Sequence, residues 1–297
     1  MEQQAKPETG KALAQHVSSF WRGIKKTSVT VNETPISYLE AGAGEAIILL
    51  HGFAGAKTHW RSFMVGLKDS VHVIALEIPG FNLQPSTLNT SYSLRYFSNW
   101  LNLFIETLPA KKVHLVGFSA GACFAAYYAT AFADRVQSLT FISFPNIYID
   151  ENSKYKNIFD ECLYSDVCKP KDMATLWEAF FYDPPNVPTI FYSAWYKAYA
   201  KTKPALLRLV RDLSDSTTIL FPRLSTINCP VLAIRGEADS NSSSKMNGYL
   251  DRAISKFHCV EIPKASHLCY IERQKETLFH IKNFIGQHAE NDVKAVF

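Results

Sequence analysis

One serine of this 297-residue chain lies in a sequence that suits nucleophilic chemistry. Ser119 is the centre of Gly117-Phe118-Ser119-Ala120-Gly121, which follows the apolar run at residues 112–116 and opens a run of small residues. Small residues on both sides permit a tight turn from strand to helix, which lifts the serine side chain out of the sheet. The start of the helix offers free N–H groups and a favourable dipole to a developing oxyanion. We therefore predict that Ser119 is a nucleophile.

A serine hydroxyl attacks only when a base removes its proton, and the sequence supplies one candidate base and one candidate acid. His267, in Lys264-Ala265-Ser266-His267, lies between a predicted strand at residues 258–262 and the last predicted helix. Asp239 ends Arg235-Gly236-Glu237-Ala238-Asp239, just after a predicted strand at residues 230–234. A carboxylate there would hold the imidazole in the tautomer that accepts the serine proton. The chain order serine, aspartate, histidine is one that such sites use.

Other acids and histidines of the chain are alternatives to Asp239 and His267. Glu237 is the second candidate for the acid. An acid after the strand at residues 136–142 is disfavoured, because that strand runs into Ser143-Phe144-Pro145 and the next acid is Asp150. The remaining histidines that we compared lie in or at the ends of strands, or on and beyond the last helix, where structural roles are expected: His51, His72, His114, His280 and His288.

The sequence His51-Gly52-Phe53-Ala54 follows the apolar run at residues 46–50. A backbone N–H at this place can pair with the one that follows the nucleophile, so we predict Phe53 and Ala120 as the two oxyanion donors. Taken alone, His51-Gly52 would indicate an ordinary loop. The presence of the other motifs is what suggests that this loop carries an oxyanion donor.

The elements around these residues alternate between apolar runs and helical spacing. Two strands at residues 28–32 and 36–40 come first. Short apolar runs at residues 46–50 and 72–76 read as strands that are covered on both faces. Further strands are predicted at residues 112–116, 136–142, 230–234 and 258–262. Helical patterns at residues 93–107, 120–131, 246–255 and 271–287 lie between or after them. The sequence predicts an α/β fold, a mostly parallel sheet with helices on both faces.

This alternation stops at residues 145–224, which we interpret as a helical lid inserted into a core of residues 28–144 and 225–290. Its predicted helices are at residues 172–181, 189–201 and 204–213. We expect its aromatic residues to line an apolar acyl pocket, and packing within a core is the alternative. These residues are Phe180, Phe181, Tyr182, Phe191, Tyr192, Trp195 and Tyr196. Residues 1–27 form an N-terminal segment with a helix at 11–24, which either packs on the core or touches lipid.

Composition excludes several classes of protein. The net charge of +4 is too small to indicate a nucleic-acid partner, and no run of apolar residues is long enough to span a membrane. The six cysteines have no zinc-binding spacing, and the start of the chain is polar. We expect free thiols in a cytoplasmic protein, with a pairing of Cys162 and Cys168 left open. Peripheral membrane contact through the N-terminal helix or the lid is the alternative for location.

Together these motifs resemble the α/β-hydrolase superfamily over residues 19–287. The resemblance also rests on Glu77-Ile78-Pro79-Gly80-Phe81, on Gly236-x-x-Asp239, and on Ser266-His267 followed by Glu272. Trp21-Arg22, Pro170-Lys171-Asp172-Met173 and the segment at residues 181–188 are similar to bacterial lipases and esterases of the monoacylglycerol-lipase-like group. This resemblance implies hydrolysis of carboxylic esters, with small-molecule or lipid-like esters as substrates and no cofactor or metal.

The chain also departs from the family at several positions. Glu77 stands where Asp is usual, Asn82 where Gly is frequent, and Ala120 and Ala122 where Met and Gly are frequent; residues 240–244 form an unusually polar loop. None of these changes removes a predicted catalytic group. Other functions on the same scaffold remain alternatives: a carbon–carbon bond hydrolase, a thioesterase, a perhydrolase, or a binding protein without catalysis. Enzymes with an aspartate nucleophile are disfavoured, because Ser119 occupies that place.

Overall fold

The structure, a computed structural model, describes residues 23–31, 34–53, 55–80, 92–146, 161, 162, 164 and 169–289. Eight strands lie within them: β1 (Lys25–Val31), β2 (Thr34–Ala41), β3 (Ala46–Leu50), β4 (His72–Leu76), β5 (Val113–Phe118), β6 (Val136–Ile142), β7 (Val231–Gly236) and β8 (Phe257–Ile262). They form one sheet in the order β1-β2-β4-β3-β5-β6-β7-β8. Strands β3 to β8 run parallel, and β2 is antiparallel to both of its neighbours. The predicted α/β fold with a mostly parallel sheet is confirmed.

The helices within the described residues lie on both sides of this sheet and in the insertion. They are α1 (Arg61–Leu67), α2 (Leu94–Glu106), α3 (Ala120–Ala131), α4 (Pro170–Phe180), α5 (Thr189–Leu220), α6 (Ser244–Ala253), α7 (Cys269–Glu272) and α8 (Gln274–Gln287). Short 3₁₀ turns precede α1, follow α3 and follow α5. Two of the helices begin at a serine cap: the Ser93 hydroxyl accepts the Tyr96 N–H, and the Ser243 hydroxyl accepts the Met246 N–H.

Strand β3 shows how the sheet is covered on both faces. All five of its residues are buried, as the run of apolar residues predicts. Ile48 and Leu50 belong to a core cluster with α2 and α3, whereas Ile47 and Leu49 belong to a second cluster with α1 and α8. Each such side chain contributes about 1.5–3 kcal/mol when it leaves water. The strand is therefore held from both sides, and its carboxyl end is fixed in space.

The insertion between β6 and β7 contributes α4 and α5. The two helices pack against each other around a small apolar cluster of Cys162, Met173 and Leu176. Helix α5 also reaches the main core through Leu206 and Leu220, which are both buried. Phe180, Tyr192, Trp195 and Tyr196 pack against the small cluster, as the core-packing alternative expects. Residues 147–160, 163 and 165–168 of the predicted lid lie outside the described residues, and the lid itself stays a prediction.

Helix α5 corrects the prediction of two helices at residues 189–201 and 204–213. It is continuous from Thr189 to Leu220 and contains Pro204. A proline inside a helix removes one hydrogen bond and costs about 3 kcal/mol, which is why a break was expected. Pro204 is exposed, and apolar residues on both sides of it pack on the protein. Their burial outweighs the local cost.

Two other helices differ from the sequence-based expectation. Helix α1 was not predicted, because seven residues after a 3₁₀ turn give too few turns for a helical spacing to be visible. The helix expected at residues 271–287 is divided into α7 and α8 by Arg273, whose backbone is not helical (φ −125°, ψ 51°). The Arg273 side chain donates instead to the Lys264 carbonyl at 3.1 Å.

The predicted N-terminal helix and one of the two cysteines that could pair lie largely outside the described residues. The helix predicted at residues 11–24 lies, except for its last two positions, outside the described residues, as does Cys168. Cys162 is buried. None of the helices that the structure describes is both long enough and apolar enough to cross a membrane.

Candidate active site

Ser119 occupies a strained turn between β5 and α3. Its backbone angles are φ 52° and ψ −120°, a conformation that residues other than glycine rarely adopt. Hydrogen bonds hold the turn on both sides: the Ser119 N–H donates to the Ile142 carbonyl at 2.9 Å, and the Ala122 N–H donates to the Ser119 carbonyl at 2.9 Å. The side chain is partly exposed at the carboxyl edge of the sheet.

The glycines of the motif are required by close backbone approach. A Cβ on Gly117 would lie 2.3 Å from the Gly121 carbonyl oxygen, and a Cβ on Gly121 would lie 2.3 Å from the Leu50 carbonyl oxygen. Both distances are far below van der Waals contact. The strained turn therefore depends on these two positions, and Gly121 also brings the start of α3 against the end of β3.

The structure brings Ser119, His267 and Asp239 together in one hydrogen-bonded chain. His267 Nε2 lies 3.3 Å from Ser119 Oγ. On the other side of the ring, His267 Nδ1 lies 3.1 Å and 3.0 Å from the two carboxylate oxygens of Asp239. The carboxylate accepts the Nδ1 proton, so Nε2 is left as an acceptor that faces the serine hydroxyl. His267 and Asp239 are both buried, with exposed fractions of 5% and 2%.

Asp239 is held as a carboxylate by its surroundings. Burial alone would raise the pKa of Asp239, but the charge and hydrogen bond of His267, together with hydrogen bonds from Ser143 and the Asn241 backbone, lower it below its usual value. The Asn241 and Ser242 N–H groups donate to Asp239 Oδ1 at 2.8 Å and 3.1 Å. The polar loop at residues 240–244 thus supplies donors to the acid.

Glu237, the second candidate for the acid, has a different environment. It is exposed, and its Oε2 accepts the Lys264 N–H at 3.3 Å. The contact with the imidazole is made by Asp239. The geometry therefore favours Asp239 in the role of the acid.

Phe53 and Ala120, the predicted oxyanion donors, lie on neighbouring parts of the site. Phe53 is in the loop after β3, and Ala120 is the first residue of α3. Strands β3 and β5 are paired, so both positions are at the same edge of the sheet. Gly52 lies so close to the nucleophile turn that a Cβ there would be 3.0 Å from the Ser119 Cβ. The role of the Phe53 and Ala120 N–H groups as oxyanion donors stays a prediction.

His51 fixes the loop that carries Phe53. Its Nδ1 donates to the Gly52 carbonyl at 3.0 Å, and its Nε2 accepts the Ile78 N–H at 3.1 Å. The ring thus joins the loop after β3 to the loop after β4. The structural role that the sequence suggested for this histidine agrees with these contacts.

A buried ion pair beside this loop was not found from the sequence. Lys57 Nζ lies 2.6 Å from Glu77 Oε2, with side-chain exposures of 10% and 12%. Burial alone would raise the pKa of Glu77, but its contacts with His51 and Lys57 lower it. The carboxylate takes the place where the family usually has Asp. The two partners are twenty positions apart in the chain, and no local pattern in the sequence indicates the pair.

Arg235 is a second residue that sequence reasoning missed. Its buried guanidinium donates to the carbonyls of Ser242, Glu237 and Asp239 at 2.6, 3.1 and 3.3 Å, and it also pairs with Glu261. One side chain thus holds several carbonyls of the loop that carries the acid. The sequence signal that could have been read is an arginine between the apolar run at residues 230–234 and the Gly236-x-x-Asp239 motif.

The insertion contacts the loop of the candidate base. The ring of Phe180 stacks on His267 with centroids 5.9 Å apart, and the Leu268 N–H donates to the Phe180 carbonyl at 3.1 Å. Phe118 covers another side of the imidazole at 5.0 Å. Aromatic rings therefore shield His267 from water, which strengthens its hydrogen bonds.

The site contains the groups for nucleophilic acyl transfer. A serine, a base that faces it and a buried acid are in hydrogen-bonding order. Among the described residues no group of three or more His, Cys, Asp or Glu side chains is arranged to hold a metal ion.

Comparison with known proteins agrees with this architecture. The family described as alpha/beta hydrolase fold matches residues 45–274, and the chain belongs to that family. It is similar to a pimeloyl-[acyl-carrier protein] methyl ester esterase of Aeromonas hydrophila, with 22% identity over 84% of this chain and 99% of that protein. It is also similar to monoacylglycerol lipase ABHD6 of Bos taurus, with 21% identity over 84% of this chain and 78% of that protein.

Two further comparisons show how far the similarity extends in the fold and along a longer relative. A crystal structure of a membrane phospholipase A, described as a bacterial virulence factor, superimposes with a TM-score of 0.80 at 24% identity and covers 93% of this chain and 91% of that one. The match to the protein PHYLLO of Arabidopsis thaliana has 23% identity over 83% of this chain but spans only 16% of that longer protein. The resemblance to lipases and esterases is confirmed at the level of family and fold.

Proposed function

We propose that this chain is a carboxylic ester hydrolase, an esterase or lipase that forms an acyl-enzyme on Ser119. The observation that carries the proposal is the geometry of His267, whose Nε2 is 3.3 Å from Ser119 Oγ while its Nδ1 is 3.0 Å from Asp239 Oδ2. A serine, a base and an orienting acid in this order are the arrangement of serine hydrolases.

The reaction follows from this geometry. His267 accepts the proton of Ser119 as Oγ attacks the ester carbonyl, and Asp239 stabilises the imidazolium that forms. The N–H groups of Phe53 and Ala120 donate to the oxyanion of the tetrahedral intermediate. His267 then gives its proton to the departing alkoxide, which leaves an acyl group on Ser119. A water molecule, activated by the same base, releases the acid and restores the serine.

The substrate class is a small-molecule or lipid-like ester. Two observations support it: the aromatic cover over His267 is apolar, and the similar proteins include a monoacylglycerol lipase and a methyl ester esterase. A pocket with such walls favours an acyl chain over a charged group. Peripheral membrane contact through the N-terminal helix or the lid belongs to the same proposal, because a lipid ester is held in a bilayer or micelle.

The test is turnover of p-nitrophenyl esters by wild type and by Ser119→Ala. We expect Ser119→Ala to keep its fold and to lose about 10⁴-fold or more in kcat, because the members of such a triad act as a unit. Labelling by a fluorophosphonate probe should disappear with it. Ser225→Ala, at an exposed serine away from the site, is the matched control and should behave as wild type.

The possible outcomes separate the classes. Ester turnover that persists in Ser119→Ala contradicts the proposal. Labelling of wild type without turnover of any ester or thioester in the panel would place the chain with the carbon–carbon bond hydrolases of this scaffold. Neither labelling nor turnover would indicate a binding protein.

A further inference from the structure

One face of α5 carries a row of exposed positive charge. Lys197, Lys201, Arg208 and Arg211 are spaced by four, seven and three residues, so they lie on the same side of a helix. We call these four residues the basic stripe. Lys197, Lys201 and Arg211 are exposed, and Arg208 is one third exposed. No acidic residue occurs between Asp183 and Asp212. The stripe runs along about 21 Å of helix, at 1.5 Å per residue.

The stripe is held outward because the opposite face of α5 is buried. Trp195 and Tyr199 pack on the small apolar cluster of the insertion, and Leu206 is buried in the main core. The carboxylate beside the stripe is Asp212, whose oxygens are 3.8 Å and 3.9 Å from the Nε atoms of Arg208 and Arg211. Asp212 also accepts the Tyr92 N–H at 2.8 Å and is 16% exposed. Two acids, Asp212 and, by its sequence spacing, Asp215, belong to this face, and both lie at its Arg208–Arg211 end. The end with Lys197 and Lys201, both exposed, is therefore the positive part of the stripe.

Exposed apolar residues, here called the apolar tip, lie at the start of α5. They are Ile190, which precedes Lys197 by two helical turns and is 78% exposed, and Phe191, which is 38% exposed. The ring of Phe191 lies 5.2 Å from that of Trp177, which in turn lies 4.6 Å from Phe181. Phe181 follows Phe180, the residue that stacks on His267. The tip is therefore connected through neighbouring rings to the cover of the candidate active site.

We propose that the basic stripe and the apolar tip dock on an anionic lipid surface. A row of cations attracts anionic headgroups, and a large exposed apolar group gains free energy only where a partner offers an apolar phase. Nucleic acid would satisfy the stripe but leave the tip in water. Docking would bring the aromatic cover of the candidate active site to the membrane. This inference rests on the proposed hydrolysis of lipid-like esters and names the surface that presents them.

The test is binding of the full-length Ser119→Ala protein to vesicles, because this protein cannot consume the lipid. Vesicles of phosphatidylcholine are compared with vesicles that contain phosphatidylglycerol, by co-sedimentation at low and high salt. We expect preference for the anionic vesicles and loss of that preference in high salt. Replacing Lys197→Glu and Lys201→Glu together should weaken binding by about 25-fold or more, since each basic residue near such a surface contributes about fivefold.

A matched control is the pair Lys111→Glu and Lys112→Glu. Both residues are exposed, they lie at the amino end of β5, and the pair changes the net charge by the same amount. Ile190→Ser should weaken binding to both kinds of vesicle. Equal losses in the stripe and control variants, or no loss in either, would contradict the proposal. Tighter binding of wild type to duplex DNA than to anionic vesicles, lost in the stripe variant, would reassign the stripe to polyanions in general.

The outcome is distinguishable from a failure of the proposed function. For this comparison the Lys197→Glu and Lys201→Glu changes are made in the protein that keeps Ser119. Its turnover of a water-soluble short ester should equal that of wild type. If the soluble ester is not hydrolysed but anionic vesicles are still bound through the stripe, the docking surface stands and the ester hydrolase does not.

Glu272 joins the insertion to the loop of the candidate base, independently of the stripe. Its Oε2 accepts the Ser266 N–H at 2.7 Å, next to His267. Its Oε1 accepts the N–H groups of Tyr182 and Asp183 at 2.7 Å and 3.1 Å. One carboxylate thus binds three backbone donors from two segments, one at Tyr182 and Asp183 and the other at Ser266. The backbone bond from Leu268 to Phe180 and the ring of Phe180 on His267 complete the junction.

The geometry assigns Glu272 as a positioning residue that keeps His267 in line with Ser119 by tying its loop to the end of α4. The carboxylate acts through the backbone and does not touch the reacting atoms. Displacement of a catalytic group by about 1 Å can cost about 100-fold in rate. Loss of Glu272 should therefore lower kcat and leave KM nearly unchanged, whereas damage to the ester pocket would raise KM.

The experiment compares Glu272→Ala, Glu272→Gln and Glu276→Ala. We expect kcat to fall by about 10- to 100-fold in Glu272→Ala. Glu272→Gln keeps one carbonyl acceptor and should be intermediate, and Glu276→Ala, one turn further along, should resemble wild type. A double-mutant cycle with Phe180→Ala should be strongly non-additive, since both residues act on the same loop. Additive effects, or a loss that appears only as a lower melting temperature with normal kcat, would overturn the assignment.

Discussion

At the scale of single residues, Asp239 and Glu237 show how surroundings separate two carboxyl groups that are two positions apart. Asp239 is buried against His267 and accepts two backbone N–H groups, whereas Glu237 is exposed. Asp239→Asn should lower kcat by about 10⁴-fold, because an amide no longer fixes the imidazole tautomer. Glu237→Gln should change kcat little. The measurement is steady-state ester kinetics of both variants, and a reversed pattern would make Glu237 the acid.

The buried pair of Lys57 and Glu77 gives a prediction on pH. The pKa of Glu77 is lower in the folded protein than in the unfolded chain, so the unfolded chain binds more protons. The ionised Glu77 carboxylate therefore stabilises the folded protein above the unfolded pKa of about 4.3, and this stabilisation is lost as the pH falls through the lower pKa of the folded state. Glu77→Gln should destabilise the protein at pH 7 by about 3 kcal/mol, since it leaves Lys57 buried without its partner.

Urea unfolding at pH 7 and at pH 4 tests this prediction. The difference in free energy of unfolding between the two pH values should be smaller in Glu77→Gln than in wild type. Glu276→Gln, in α8, should keep the wild-type difference. An unchanged difference in Glu77→Gln would mean that the acid sensitivity arises elsewhere.

The same residues show what could be predicted from the sequence. Ser119, Asp239 and His267 were identified because each sits in a short motif next to a strand end, which is local information. Lys57 with Glu77 was missed because the two residues follow different strands, β3 and β4, and meet only when these strands pair. Arg235 was missed although its partners in the acid loop are two to seven residues away, because an arginine in a sequence does not show that its side chain turns inward. Long-range side-chain partners have no local signature, so a single sequence leaves them open.

At the scale of elements, the turn between β5 and α3 leaves no room for a side chain at its glycines. A Cβ on Gly121 would lie 2.3 Å from the Leu50 carbonyl oxygen, and neither backbone can move without disturbing the sheet. Gly121→Ala should therefore destabilise the protein by about 3 kcal/mol. Gly286→Ala, in α8 with nothing within 4 Å of the new Cβ, should stabilise it by about 0.5 kcal/mol. Thermal unfolding of both variants is the measurement, and similar melting temperatures for the two would contradict the steric argument.

The elements also differ in how well the sequence predicted them. Strands β3, β4 and β6 have the predicted bounds, because residues buried on both faces form uninterrupted apolar runs. Helix α5 was predicted as two helices, because propensity counts the proline but not the tertiary packing on either side of it. Helix α1 was too short to leave a pattern. Apart from these two helices and the break at Arg273, the strands and helices of the described residues followed from periodicity to within a few residues.

At the scale of the whole molecule, the insertion and the core meet at His267. If the insertion covers the site as a lid, its apolar surface should favour longer acyl chains. Each buried methylene adds up to about 0.8 kcal/mol, or roughly fourfold in kcat/KM, until the pocket is full. We expect kcat/KM for p-nitrophenyl esters to rise from acetate through medium chains and then to fall. A response that is flat across chain length would contradict the lid interpretation and leave the triad unaffected.

The separation of Ser119 from its base along the chain has a consequence for how the protein is made. The two residues are 148 positions apart, and the long helix α5 lies between them in sequence. A ribosome adds roughly 5–20 residues per second, so Ser119 emerges many seconds before β7 and β8 can join the sheet. Until these strands dock, the nascent chain has an alcohol without a base. On the proposed mechanism, a chain that ends before residue 267 has no base for Ser119 and should not hydrolyse esters.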